Sequence, residues 1–223
     1  MGRHIRLEAG DGHALGGYLA EPAGEALGGV IVLQEIFGVN GHIRSICDRL
    51  ATEGYAALAP ALFDRIERDF ESGYADEEVT HARGFIPKVD WDATLLDVEA
   101  AISALDDGKP KSVVGFCLGG SIAYLAAVRQ KGLSASVCFY GGKIVAYADQ
   151  PPLCPTQMHF GEQDHGIPMS DVETIRTKRE DCEIHVYPAG HGFNCDERAS
   201  YHAPSADLAW ARTLAFLRAH ARA

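Results

Sequence analysis

The sequence predicts an α/β fold with a mostly parallel central sheet, helices on both faces and an antiparallel hairpin at the start. Three observations predict it. Short β-rich runs alternate with stretches of helical periodicity along most of the chain. Runs such as Val30 to Leu33 are continuously apolar, as strands covered on both faces should be. The first two runs flank Asp11-Gly12, a turn pair that suits adjacent antiparallel strands.

Taken in order, His4 to Ala9 and Leu15 to Ala20 are the hairpin strands, and Val30 to Leu33 is the first buried one. A helix follows, with Ile43, Ile46, Cys47, Leu50 and Ala51 on one face and Gly54 at its end. Tyr55 to Ala59 is the next strand. From Ala61 to Pro87 the chain is charged and has no clear period, which reads as an excursion over the top of the sheet. Trp91, Leu95, Val98, Ile102 and Leu105 restore a helical stripe, closed by Gly108 and Pro110. Strands are expected near Ser112 to Phe116, Ser136 to Tyr140, Thr156 to Phe160 and Glu183 to Tyr187. A helix should follow Cys117, another should run near Asp171 to Lys178, and a last one from Ala206 to His220. With no repeat, linker or low-complexity tract, residues 1–223 read as one domain.

Composition narrows the function classes. The 223 residues are 47% apolar and 23% charged, an ordinary globular balance. A net charge of -11 argues against a nucleic-acid partner, because a phosphate backbone needs a basic face. An anionic small molecule would need a local Arg or Lys to offset that field. No apolar run has the length to span a bilayer, and the start has no signal-peptide core, so a cytoplasmic location is expected. The cysteines at 47, 117, 138, 154, 182 and 195 contain no Cys-x-x-Cys pair and lack zinc-ligand spacing with the histidines. In a reducing compartment most should be small buried hydrophobes. No metal and no cofactor is expected.

One cysteine stands apart. In Gly115-Phe116-Cys117-Leu118-Gly119-Gly120 an apolar strand passes directly into a helix. A nucleophile at such a junction sits on a tight turn that lifts its side chain off the sheet edge. The helix N-terminus behind it carries partial positive charge, which favours a thiolate. No Gly-x-Ser-x-Gly competes for the role. A cysteine nucleophile also needs a base, a group to orient the base, and oxyanion donors. His191 lies in Pro188-Ala189-Gly190-His191-Gly192-Phe193, the loop leaving the Glu183 to Tyr187 strand, where two glycines suggest a mobile tip. Asp164 follows the preceding strand, in Gly161-Glu162-Gln163-Asp164, with Glu162 as a nearby competitor. Nucleophile, acid and histidine thus come in the order of α/β-hydrolases, each after a successive β-run.

These segments, together with Gln34-Glu35-Ile36-Phe37-Gly38, resemble the dienelactone hydrolases (carboxymethylenebutenolidases), in that family's order and over nearly the whole chain. The resemblance implies an α/β-hydrolase fold, a Cys117-His191-Asp164 triad, and an oxyanion hole from the N–H groups of Ile36 and Leu118. It also implies that Glu35 lies beside the thiol and keeps it protonated until substrate arrives, since a nearby anion disfavours a thiolate. Phe37, Arg83, Lys143 and Arg198 are the candidate substrate-binding residues. One departure bears on substrate. Family members that act on dienelactone hold its carboxylate with arginines, one of them just after the histidine, whereas Cys195 stands four residues after His191.

The expected activity is hydrolysis of a lactone or activated carboxylic ester through an acyl-enzyme, by a monomer or small homo-oligomer. Two alternatives remain at this point: another ester, a thioester or an amide as substrate, or a non-catalytic protein that binds a ligand or senses oxidants through Cys117.

Overall fold

The alternating runs become strands where they were expected, in a computed structural model that describes residues 2–221. The chain divides into two units, the first ending at Ser112 and the second beginning at Val113.

In the first unit, β1 (Arg3–Glu8) and β2 (Ala14–Ala20) pair antiparallel, with Arg6 opposite Gly16. Gly12 closes their turn at φ +83°, a conformation that costs glycine nothing. The order continues through β4 (Ala56–Pro60) to β3 (Gly29–Leu33), giving β1-β2-β4-β3. The β2–β4 pair is antiparallel and the β3–β4 pair parallel, so antiparallel pairing extends one strand beyond the hairpin. All five residues of β3 are buried, which is why its sequence shows no alternation.

Helix α1 (Gly41–Thr52) starts at Asn40, whose side chain accepts from the Ile43 N–H, and buries Ile43, Ile46, Cys47 and Leu50. After β4 the excursion forms a 3-10 turn at Leu62–Arg65, helix α2 (Asp76–Arg83) and a second 3-10 turn at Ile86–Lys88. Aromatic packing holds it: Phe85 lies 4.3 Å from Phe70 and 5.0 Å from Phe63, with His81 edge-on at 5.4 Å. Arg65 adds a two-pronged ion pair to the fully buried Asp97, at 2.7 and 2.8 Å, and a second pair to Asp11. Asp97 belongs to α3 (Trp91–Ala104), the helix expected there.

Strand β5 (Lys111–Phe116) leads into the second unit, where the order is β5-β6-β7-β8. β6 (Leu133–Phe139), β7 (Thr156–Gly161) and β8 (Glu183–Tyr187) are parallel neighbours, with Cys138 beside Met158 and His159 beside His185. Helix α4 (Leu118–Arg129) follows β5 without a loop and is buried from Leu118 to Ala127. A short helix α5 (Ile144–Tyr147), α6 (Met169–Lys178) and α7 (Ala203–His220) complete the unit. The α5 turn has too few residues for a period to show, and α7 begins three residues earlier than its apolar stripe suggests, with Pro in its first turn. No helix among the described residues is long and apolar enough to cross a membrane.

Candidate active site

Cys117 is the N-cap of α4 and adopts φ +54°, ψ -111°, a backbone shape that costs a side-chain-bearing residue energy. The surrounding contacts enforce it. The Cys117 N–H donates to the Phe139 carbonyl at 3.0 Å, which fixes the turn against the end of β6. Gly115 passes so close to the first turn of α4 that a Cβ there would overlap the Gly119 carbonyl and come within 2.9 Å of Gly120 N. Gly120 approaches the Phe139 carbonyl in the same way. The glycines of the motif are thus the residues that let strand and helix meet at so sharp an angle.

Because β6, β7 and β8 run parallel, the loops after β7 and β8 leave from the same edge. Those loops are zipped together by backbone bonds, Glu162 N–H to Tyr187 O at 2.9 Å and Gln163 N–H to Ala189 O at 3.0 Å. Gly161 permits this, since a Cβ there would overlap the Ala189 carbonyl and reach 3.0 Å from Gly190 O. The histidine loop is therefore fastened by these main-chain bonds at its base rather than being a free tip. Below it, the fully buried His159 bridges the two strands. One ring nitrogen is 2.8 Å from the Tyr187 hydroxyl and the other 2.9 Å from Gln157 Oε1. Burial holds its pKa well below the usual histidine range, so it serves as a neutral hydrogen-bonding link.

The zipped loops bring three side chains into line. Asp164 is buried; its Oδ1 accepts from the Gly166 N–H at 2.8 Å and its Oδ2 lies 2.6 Å from His191 Nδ1. A carboxylate only accepts, so Nδ1 carries the proton and Nε2 points the other way. Nε2 lies 3.1 Å from Cys117 Sγ. Burial pulls the His191 pKa down, but the Cys117 sulfur and the Asp164 carboxylate outweigh it and push it up to about 10. Glu162 is exposed, and the acid that meets His191 is Asp164.

The sequence model of the dienelactone hydrolase family matches residues 15–221, almost the whole chain. The chain belongs to the dienelactone hydrolase family. It is similar to a provisionally named carboxymethylenebutenolidase of Synechocystis sp., 42% identical over 219 residues, covering 88% of each chain. It is also similar to the carboxymethylenebutenolidase of Pseudomonas putida, 32% identical over 96% of this chain and 94% of that one. Among solved structures, that of a provisionally named dienelactone hydrolase from Klebsiella pneumoniae matches with a TM-score of 0.82 and 34% identity, covering 97% of this chain and 99% of that one. The fold is thus that of the α/β-hydrolases, and the chain is a hydrolase of the ester and lactone class.

The remaining family positions fall as follows. Leu118 is the first residue of α4, where a backbone N–H has no acceptor within the helix. Glu35 and Phe37 are both buried, at 1% exposure each, and Ile36 lies between them. Their loop is pinned within the first unit. The Leu62 N–H donates to Gln34 Oε1 at 3.1 Å, Ser72 N–H donates to the Phe37 carbonyl at 3.0 Å, and Gly38 bridges to Glu71. Arg83, at the end of α2, is exposed, and so is Lys143, whose backbone N–H donates to Ser121 Oγ at 3.0 Å. Arg198 packs against Gly192.

Two residues escaped the sequence reading. Tyr140 is fully buried, sits at φ +38°, and places its ring 5.0 Å from that of His191. The Gly141-Gly142 pair after it was the available signal, since such pairs mark close backbone approach at a strand end. Tyr74 packs edge-on against Phe37 at 4.7 Å and takes a hydrogen bond from Asn40 Nδ2 at 2.9 Å. It lies in the aperiodic excursion, where nothing in the sequence set it apart.

Proposed function

We propose that the protein hydrolyses a lactone or activated carboxylic ester, a small-molecule substrate, by covalent catalysis at Cys117. The observation that carries this reading is the continuous line from Asp164 through His191 to Cys117, at 2.6 and 3.1 Å. The Cys117 thiol gives its proton to His191 Nε2 as its sulfur bonds to the carbonyl carbon, and the C=O electron pair moves onto oxygen. Collapse of that intermediate breaks the C–O bond, and the His191 imidazolium protonates the departing alcohol. Neutral His191 then takes a proton from water as its oxygen attacks the thioester, and release of the acid restores the sulfur. The first N–H of α4, on Leu118, together with the Ile36 N–H, receives the oxyanion in this reading. Removing one such donor typically costs about 3 kcal/mol of transition-state stabilisation.

Kinetics on a panel of lactones and activated esters test it, with Cys117→Ala as control. Wild type should turn over at least one member and give an acyl adduct on the Cys117 peptide by mass spectrometry. Cys117→Ala should reduce the rate by about 10³-fold or more. Unchanged turnover in that variant overturns the reading.

The family resemblance gives Glu35 the task of guarding the thiol when no substrate is bound. Glu35→Gln should then speed iodoacetamide labelling of Cys117 in the free enzyme at neutral pH by about tenfold. An unchanged labelling rate removes Glu35 from that role and leaves the rest of the mechanism standing.

A further inference from the structure

His191 lies between Gly190 and Gly192, and a residue so placed has great backbone freedom unless something outside the loop removes it. On the first side that something is clear: the Ala189 carbonyl accepts from the Gln163 N–H at 3.0 Å and holds the approach to Gly190. On the second side Gly192 stands at φ +76°, and what lies over it is a side chain. A Cβ at Gly192 would overlap Nη1 of Arg198 and fall 2.7 Å from its Cζ and 3.1 Å from its Nε. The guanidinium therefore fills the space that any larger residue at 192 would need.

The chain between them is shaped to put it there. The Cys195 N–H donates to the Gly192 carbonyl at 3.0 Å, and the Arg198 N–H donates to the Cys195 carbonyl at 3.1 Å. Two successive turns thus fold residue 198 back onto residue 192. The Tyr201 N–H then donates to the Arg198 carbonyl at 3.0 Å, and the His202 N–H closes the segment onto Phe193 O at 3.1 Å. Phe193, fully buried, anchors the segment against Tyr187 at 5.2 Å and Tyr140 at 5.4 Å. The turns bring the Arg198 backbone close to Gly192, and its side chain then lays the guanidinium over that glycine.

We propose that Arg198 is a positioning residue for His191: its guanidinium presses on the Gly192 backbone and holds the loop in the posture that brings Nε2 to Cys117. This rests on the reading that Cys117 and His191 are the reacting pair. An arginine beside a hydrolase site has another ordinary use, to anchor an anionic substrate, and the two uses separate experimentally. A positioning arginine acts through His191 and affects every substrate alike. An anchoring one affects the KM of anionic substrates alone.

The test measures iodoacetamide labelling of Cys117 from about pH 5.5 to about pH 9.5, in wild type and Arg198→Ala. It adds hydrolysis of a neutral and a carboxylate-bearing ester with the same leaving group. Loosening the loop should weaken the pairing of His191 with the sulfur. Labelling of Arg198→Ala near pH 6.5 should fall about tenfold, while the rates converge near pH 9.5. kcat should fall to the same degree on both esters with KM little changed, and millimolar guanidinium should restore part of it. If Arg198→Ala does not fold, Arg198→Met carries the test, since it keeps the apolar stem and removes the guanidinium over Gly192. The labelling profile should move the same way. An unchanged labelling profile overturns the proposal, as does a loss confined to the KM of the carboxylate ester. Should wild type turn over neither ester while the labelling profile shifts as described, the hydrolase reading fails and the positioning role stands.

Discussion

The loops that carry Asp164 and His191 and the excursion between β4 and α3 are both irregular, yet they are held by different balances of the same means. In the loops, and in the Cys117 turn, backbone meets backbone: Gly161 lies against the Ala189 carbonyl, Gly115 against that of Gly119, and Gly120 against that of Phe139. In the excursion one backbone approach, Gly38 against the Phe70 carbonyl, is joined by side chains that do most of the holding, through the packed rings of Phe63, Phe70 and Phe85 and the Arg65–Asp97 pair. A backbone approach admits no partial version, since one added methyl collides with a carbonyl that cannot move alone. A ring stack degrades by volume. The first kind of holding suits groups that must meet within a few tenths of an ångström, and the second suits a segment that only has to stay folded.

The largest expected effect comes from disturbing the line that the zipped loops support. Asp164→Asn keeps the shape of the side chain and leaves an oxygen for the Gly166 N–H. It puts an amide N–H₂ or a neutral carbonyl where the carboxylate faced His191 Nδ1. The histidine loses the charge that steadies its imidazolium, and with the wrong tautomer Nε2 carries a hydrogen instead of a lone pair. Turnover should fall by about 10²–10⁴-fold, with the urea midpoint nearly unchanged. A variant that keeps its activity would show that the 2.6 Å contact is structural.

Next in size is Phe85→Ala. Phe85 is only 2% exposed and touches Phe63, Phe70 and His81. Its removal should cost about 3–5 kcal/mol of stability by urea denaturation. The comparison predicts that, below the new unfolding midpoint, kcat of the folded fraction stays within severalfold of wild type. A stable variant with kcat reduced as far as in Asp164→Asn would break it.

The same contrast explains what the sequence disclosed. The Cys117 and Asp164 segments were legible because backbone approach demands glycine, and Gly115 and Gly161 stand in the sequence near them; His191 was marked by Gly192, whose φ of +76° favours glycine. Chain order supplied the rest, since parallel strands deliver successive loops to one edge. Strands β3 to β8 were legible as short β-rich runs, with β3 continuously apolar apart from its first glycine. The excursion was opaque because α2 buries only Ala82, so its eight residues show no apolar period. The aromatic rings that hold the segment sit outside α2, at positions 63, 70 and 85, with no fixed spacing. The hand of Arg198 was hidden for a different reason. Its contact with Gly192 depends on two turns whose bonds are main-chain, and Asp196 and Glu197 between them are exposed and unremarkable.

The smallest expected effect probes whether hydrogen bonds share in holding the excursion. Tyr74→Phe removes a hydroxyl that accepts from Asn40 Nδ2 at 2.9 Å and keeps the ring that packs edge-on against Phe37. Asn40 retains its other work, capping α1 through the Ile43 N–H and donating to the Ser72 carbonyl at 3.2 Å. The variant therefore loses one bond among several, and its stability should fall by about 1 kcal/mol in urea denaturation. That is well below the loss expected for Phe85→Ala, because a ring leaves a cavity and a hydroxyl does not. A loss as large as that of Phe85→Ala would mean that the polar link between residues 40 and 74, rather than the ring stack, is what keeps this segment in place. The difference between the two irregular regions would then be smaller.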